Sequence, residues 1–163
     1  MSPAALRGHK GMTDDNAANA RAVIDANRYM VLSTADASGL PWVSPVWFAT
    51  VDHRRFFWVS DPNARHSRNL ASRPQLAIVI FDSTVVPGDA QPVYMSAIAE
   101  ELTGAEVDEG LAIFAQVSEA QGLSVWTRED VQPPARHRLY CATASEHFLL
   151  REDRDERVPV SLP

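Results

Sequence analysis

Ala64-Arg65-His66-Ser67-Arg68-Asn69-Leu70 places three side chains that carry, or can carry, positive charge within four residues. Arginine offers a planar fork of donors that matches phosphate or carboxylate oxygens. Histidine gains or loses its proton near neutral pH. Clustered at a turn, these residue types suit the gripping of a bound anion, a phosphate above all. The surrounding charge agrees. Between Arg54 and Arg73 the chain carries Arg54, Arg55, Arg65, Arg68 and Arg73 against the single acid Asp61, although the protein as a whole has a net charge of −6. A local basic region on an acidic protein points to one bound anion rather than to a surface for nucleic acid. Read without context, Arg65, His66 and Arg68 also suit a solvated basic helix face.

The flanking elements must hold that turn in place. Arg55-Phe56-Phe57-Trp58-Val59-Ser60 before it and Gln75 to Phe81 after it read as strands. A short helix is expected from Ala64 to Ser72, capped by Asp61 or Asn63 and stopped at Arg73-Pro74. Upstream, Tyr29 to Ala35 reads as a strand, Asp36-Ala37-Ser38-Gly39 as a turn, and Leu40 to Val51 as a second strand. Pro41 and Pro45 place part of that second strand at an edge or a bulge. With the turn Asp52-His53-Arg54, these first three strands are expected to form an antiparallel meander. A helix capped by Asp14 or Asp15 is expected to run to Asn27, with Ala20, Val23, Ile24 and Asn27 on one face. Pro92 to Leu102 is a further strand. Glu106 to Ala120 is an amphipathic helix with Val107, Leu111, Phe114 and Val117 about a turn apart. Val125 to Val131 is irregular or a short helical turn. Arg138 to Leu150 is long enough for one or two closing strands. Residues 1–13 read as a flexible leader, 14–151 as one domain, and 152–163 as a charged, Pro-containing tail. The pattern is mainly β (α+β), a small antiparallel barrel with flanking helices.

Composition bounds the rest. A chain of 163 residues with 45% hydrophobic content suits one domain with a sizeable core. No apolar run approaches the roughly 20 residues that span a bilayer, and the N-terminal residues lack the apolar core of a signal peptide. A cytoplasmic location is the expectation. One cysteine, Cys141, excludes an internal disulfide and reads as a buried small hydrophobe in Leu139-Tyr140-Cys141-Ala142. His137 and His147 have no second ligand at metal spacing. Ser33, Ser44, Ser60 and Ser96 lack the G-x-S-x-G context of a hydrolase nucleophile. Neither a G-x-G-x-x-G nor a phosphate-loop motif is present.

The ordered blocks Tyr29-Met30-Val31-Leu32-Ser33-Thr34, Gly39-Leu40-Pro41, Ser44-Pro45-Val46-Trp47-Phe48, Phe56-Phe57-Trp58-Val59-Ser60, Ala64 to Leu70 and Arg73-Pro74-Gln75-Leu76-Ala77 resemble the pyridoxamine 5′-phosphate oxidase-like FMN-binding split-barrel family. The resemblance covers roughly residues 20–103. It implies a six-stranded antiparallel split β-barrel that forms a homodimer, with FMN or a deazaflavin coenzyme at each of two sites between the subunits. It also implies a role for each matching residue. The strand Ser44-Pro45-Val46-Trp47-Phe48 would lie along the flavin ring, largely through backbone groups, and Trp42, Trp47, Phe48 and Trp58 would offer an apolar slot for it. Val59, Ser60, Arg65 and His66 would hold the phosphate, and Arg68 and Asn69 would add donors. Many members carry lysine where this chain has His66. The resemblance implies an FMN-dependent oxidoreductase acting on a small organic substrate, or a deazaflavin-dependent reductase. A flavin or haem carrier or sensor without turnover is the other class. For Trp47 and Phe48 an ordinary place in the core or a dimer interface is equally open. Trp126 reads as a packing residue more readily than as a lid over the flavin. Arg136-His137-Arg138 does not make a convincing match to the C-terminal substrate signature of pyridoxamine 5′-phosphate oxidase itself.

Overall fold

The computed structural model describes residues 3–150 and 155–162, and the side chains among them from residue 15 onward. In chain order the elements are α1 (Pro3–Ala26), β1 (Tyr29–Ala35), β2 (Pro41–Trp47), β3 (Arg55–Ser60), α2 (Arg65–Ser72), β4 (Gln75–Ile80), β5 (Val93–Glu101), α3 (Glu106–Ala120), a 3₁₀ turn at Arg128–Val131, β6 (Arg138–Leu150) and β7 (Arg157–Val160).

The strands form one antiparallel sheet in the order β2-β1-β4-β5-β6-β3, with β7 added to β6. The ladder does not close. Between its two ends, β2 and β3, the link is a single bridge between Ala49 and Phe57. This corrects the expected meander: β3 pairs along its whole length with β6, from Arg55↔Thr143 to Ser60↔Arg138. Hydrophobic alternation reports which face of a strand is buried, and turn length suggests a neighbour; neither names the partner. Pro41 and Pro45 do lie on a strand at the end of the ladder, where a missing N–H leaves no bond unmade.

Two clusters of buried side chains explain why several strands read as unbroken apolar runs. Met30, Leu32, Val46, Phe48, Phe56, Trp58, Ile78, Ile80, Val93, Met95 and Ala142 fill the interior of the curled sheet. Phe57, Leu139 and Cys141 point the other way, where Val107, Leu111 and Phe114 of α3 cover them. The middle of β3 and the start of β6 are therefore buried on both faces, and both clusters draw on neighbouring residues of the same strands. Fully burying a side chain the size of Phe56 contributes about 2–3 kcal/mol. In β6 the pairing with β5 slips between Ser96 and Ala97, leaving Ser145 as the extra residue of a bulge, its Oγ donating to Ser96 O at 3.2 Å. The bend lets one long strand serve β5 on one side and both β3 and β7 on the other.

Three boundaries differ from expectation. α1 takes in residues read as a leader: it opens on Pro3, whose fixed φ and missing N–H suit a first helical position. Asp14 and Asp15 lie inside it and cannot cap it; residues 1 and 2 lie outside the described structure. In the segment read as a tail, β7 pairs with the end of β6 and buries Val160, while residues 151–154 and 163 lie outside the described structure. Finally, α2 begins after Ala64, and no side chain caps it. Asp61 is committed elsewhere: Oδ1 accepts the Asn63 N–H at 2.8 Å and Oδ2 accepts Arg136 Nε at 2.7 Å.

Candidate functional site

The N-terminus of α2 meets the end of β3 and the outer end of β2. Leu70 is buried in the interior cluster, so the amphipathic α2 is docked by its inner face. Asn69 is also buried and donates through Nδ2 to Thr34 Oγ1 on β1 at 3.0 Å. Thr34 Oγ1 in turn donates to the Trp42 carbonyl at 3.3 Å. These bonds hold α2 by its second turn against β1 and β2, and so fix the first turn that precedes it.

On that turn, His66 joins two strands. Its Nδ1 lies 3.2 Å from Ser44 Oγ on β2, and its Nε2 lies 2.9 Å from Ser60 Oγ on β3. Trp42 Nε1 donates to the same Ser44 oxygen at 3.0 Å. The Arg65 guanidinium lies over the Trp42 ring, 4.4 Å from its centre, a cation–π contact. Among the described residues, no carboxylate is paired with Arg65. Asp36 in the β1–β2 turn is held below the usual carboxylate range by Ser38 and Leu40, with Arg65 adding to the effect. Burial holds the His66 imidazole below its ordinary value, so the ring is neutral at physiological pH. The uncapped helix leaves first-turn N–H groups without an internal partner, and its dipole favours negative charge there. An arginine without an acid partner, free N–H groups and two serine hydroxyls form a donor set with the chemistry to hold a phosphate.

The structure brings Ser60, Arg65 and His66 together and adds the hydroxyl of Ser44 and the ring of Trp42, which the sequence reading placed beside the flavin ring rather than at the phosphate. Ser44 could have been found: it stands two residues from Trp42 on one strand face, inside the block that carried the resemblance. Other expected site residues have different surroundings. Val46 and Phe48 are buried, Phe48 with its ring 5.7 Å from that of Phe56. Trp47 points to the opposite face, packs edge-on against Phe114 at 4.6 Å and donates through Nε1 to Gln121 Oε1 at 3.1 Å. Val59 packs against the α3 cluster. Arg68 turns back to donate to the Asn63 carbonyl. Asn69 faces inward, as described.

The basic stretch from 54 to 73 does not converge either. Arg55 pairs with Asp52 and Glu109 at the far end of β3, about 17 Å of strand away from Ser60. Arg73 donates to Ala37 O at 3.2 Å. His137 rests edge-on against Trp126 at 5.2 Å, and His147 Nε2 bonds to the His53 carbonyl at 2.8 Å.

Comparison with known proteins places the chain. The family model described as pyridoxamine 5′-phosphate oxidase matches residues 17–148. The chain belongs to that family. No curated protein sequence matches it. Among solved structures, the haem-binding protein of Mycobacterium smegmatis superposes with a TM-score of 0.69 at 18% identity, over 89% of this chain and 57% of that one. This chain thus spans little more than half of that protein's length. HutZ, the haem storage protein of Vibrio cholerae, matches with a TM-score of 0.57 at 24% identity, over 72% of this chain and 82% of its own. A protein of Clostridium acetobutylicum related to general stress protein 26, of the pyridoxine-phosphate oxidase family, matches with a TM-score of 0.63 at 11% identity, covering 90% and 94%. At these identities the likeness is one of fold, and it makes the antiparallel sheet a split barrel of this family's kind. Among the described residues, no helix is long and apolar enough to cross a membrane.

Proposed function

We propose that this protein is a cytoplasmic, homodimeric FMN-dependent oxidoreductase acting on a small organic substrate. The observation that carries the reading is Arg65, with no acid partner among the described residues, at the uncapped start of α2 beside the Ser44–His66–Ser60 bridge. Arg65, Ser60, His66 and the first-turn N–H groups would hold the phosphate. The exposed edge of β2 leaves alternate backbone N–H and C=O groups unpaired, and these would meet the polar edge of the ring. Bound FMN supplies the two-electron chemistry, while the chain supplies binding, orientation and exclusion of water. A second copy would complete the ring slot. Tyr29 and Val43 are exposed on one outer face of β1 and β2, and an exposed apolar face of this kind is what a partner covers.

FMN titration of the purified protein, followed by flavin fluorescence and absorbance, tests this. Arg65→Ala is expected to weaken FMN binding about 10- to 100-fold, the loss of one charge-assisted contact. Equal affinity for FMN in the two proteins would remove the phosphate assignment. A colourless protein that instead binds a deazaflavin coenzyme would move the reading to a deazaflavin-dependent reductase.

Haem binding is the second reading, favoured by the likeness to the M. smegmatis haem-binding protein and to HutZ. A Soret band on haem addition, with no response to FMN, would establish it in place of flavin chemistry.

A further inference from the structure

His66 is bonded through both ring nitrogens to hydroxyls on two different strands, and that geometry makes its proton matter. A neutral imidazole has one N–H and one bare nitrogen; a serine hydroxyl can accept and donate at once. If Nδ1 is bare, the Ser44 proton points at it. If Nε2 is bare, the Ser60 proton does. In either tautomer the ring consumes one of the two serine protons. An imidazolium donates from both nitrogens. Ser44 then accepts from His66 and from Trp42 Nε1, Ser60 accepts from His66, and both hydroxyl protons are free to turn toward a ligand. Protonation therefore adds a positive charge and an extra O–H donor at the same place.

We propose that a phosphate group bound at this turn is held by His66 in its protonated form, so that binding takes up a proton from solution. This rests on the reading of the turn as a phosphate site. The charged groups on the surrounding elements leave the role to the ligand. On α2, Arg65 lies over Trp42 and Arg68 is turned onto the Asn63 carbonyl. Before α2, Asp61 is paired with Arg136. In the β1–β2 turn, Asp36 accepts hydrogen bonds from Ser38 and Leu40. On β6, Arg138 stands opposite Ser60 and faces Glu101 at 3.6 Å. Among the described residues no acid touches the imidazole, and burial keeps it neutral in the free protein. An arriving phosphate would be its first anionic neighbour, and a nearby anion favours the charged ring.

Two measurements test this. The first follows the His66 ring resonance, assigned with His66→Gln, through a pH titration with and without inorganic phosphate. Phosphate is expected to move the titration to higher pH; an unmoved titration overturns the proposal. The second is calorimetry of FMN binding in two buffers of different ionisation heat. Wild-type protein is expected to take up as much as one proton, with affinity falling by as much as about tenfold per pH unit between the titrations of the free and bound ring. The phosphate of FMN itself titrates near pH 6, and His66→Gln carries that contribution alone. His66→Lys, charged throughout, is expected to bind with no uptake beyond that of His66→Gln. FMN binding with identical proton balance in wild type and His66→Gln overturns the proposal while leaving the flavin reading intact. Absence of FMN binding in every buffer removes the flavin reading, and proton coupling then stands or falls on the inorganic phosphate titration.

Discussion

A side chain's chemistry here is set less by its type than by what it touches. Arg55 and Arg65 are both arginines in one basic stretch, yet Arg55 is held by Asp52 and Glu109 while Arg65, among the described residues, lies over the face of Trp42 with no acid paired to it. Cys141 shows the same dependence. It is buried beneath α3, and burial pushes its thiol up to about 11. The thiolate is the reactive form, so the native protein is expected to resist iodoacetamide at pH 8 and to be fully alkylated in denaturant. Mass spectrometry of the two samples would show it, and rapid labelling of the folded protein would contradict the packing assigned to β6.

At the scale of elements, α3 packs closely against the sheet face it covers. Gly110 sits in mid-helix where a Cβ would lie 2.8 Å from Leu139 Cδ2, 2.9 Å from Leu102 Cδ1 and 3.2 Å from Phe57 Cδ1. Alanine gains about 1 kcal/mol of helix propensity there but overpacks a filled interface, which costs roughly 1–3 kcal/mol. Gly110→Ala is therefore expected to lose about 1 kcal/mol, a fall of roughly 2–4 °C in Tm by calorimetry. A stabilised variant would show that α3 can lift off β6 without loss. The helix itself was legible: Val107, Leu111 and Phe114 recur at helical spacing, and Glu106–Ala120 forms as expected. The need for glycine was not, because it arises from three side chains on β3, β6 and the loop after β5.

At the scale of the whole molecule, the exposed β1–β2 face, the half-buried His66 and the buried His147 have consequences that a separate element cannot show. In the proposed homodimer, Val43, 57% exposed in the single chain, is expected to be covered. Val43→Glu should convert a dimer to a monomer in light scattering and weaken FMN binding with it; an unchanged mass would place the interface elsewhere. Stability should also depend on pH. His66 and His147 are both held below the ordinary value of 6.5, chiefly by burial. The unfolded chain then binds more protons than the folded one. Their contribution is complete above about pH 6.5 and is lost as pH falls from there toward their folded values. Urea midpoints should drop across that window in the wild type and less steeply in a His66→Gln, His147→Gln double variant. The sequence by itself determined most elements, the edge position of the Pro-containing β2, the adjacency of the cation-forming side chains Arg65 and His66, and the family. Those properties follow from periodicity, φ restriction and side-chain type, which act within a few residues. Tertiary structure alone decided that β3 pairs with β6 rather than β2, that Val46, Phe48 and Asn69 face inward, and that Ser44 and Ser60 meet across His66. Each depends on which distant segments share a neighbour, and hydrogen-bond partners and burial are properties of that neighbourhood rather than of the residue.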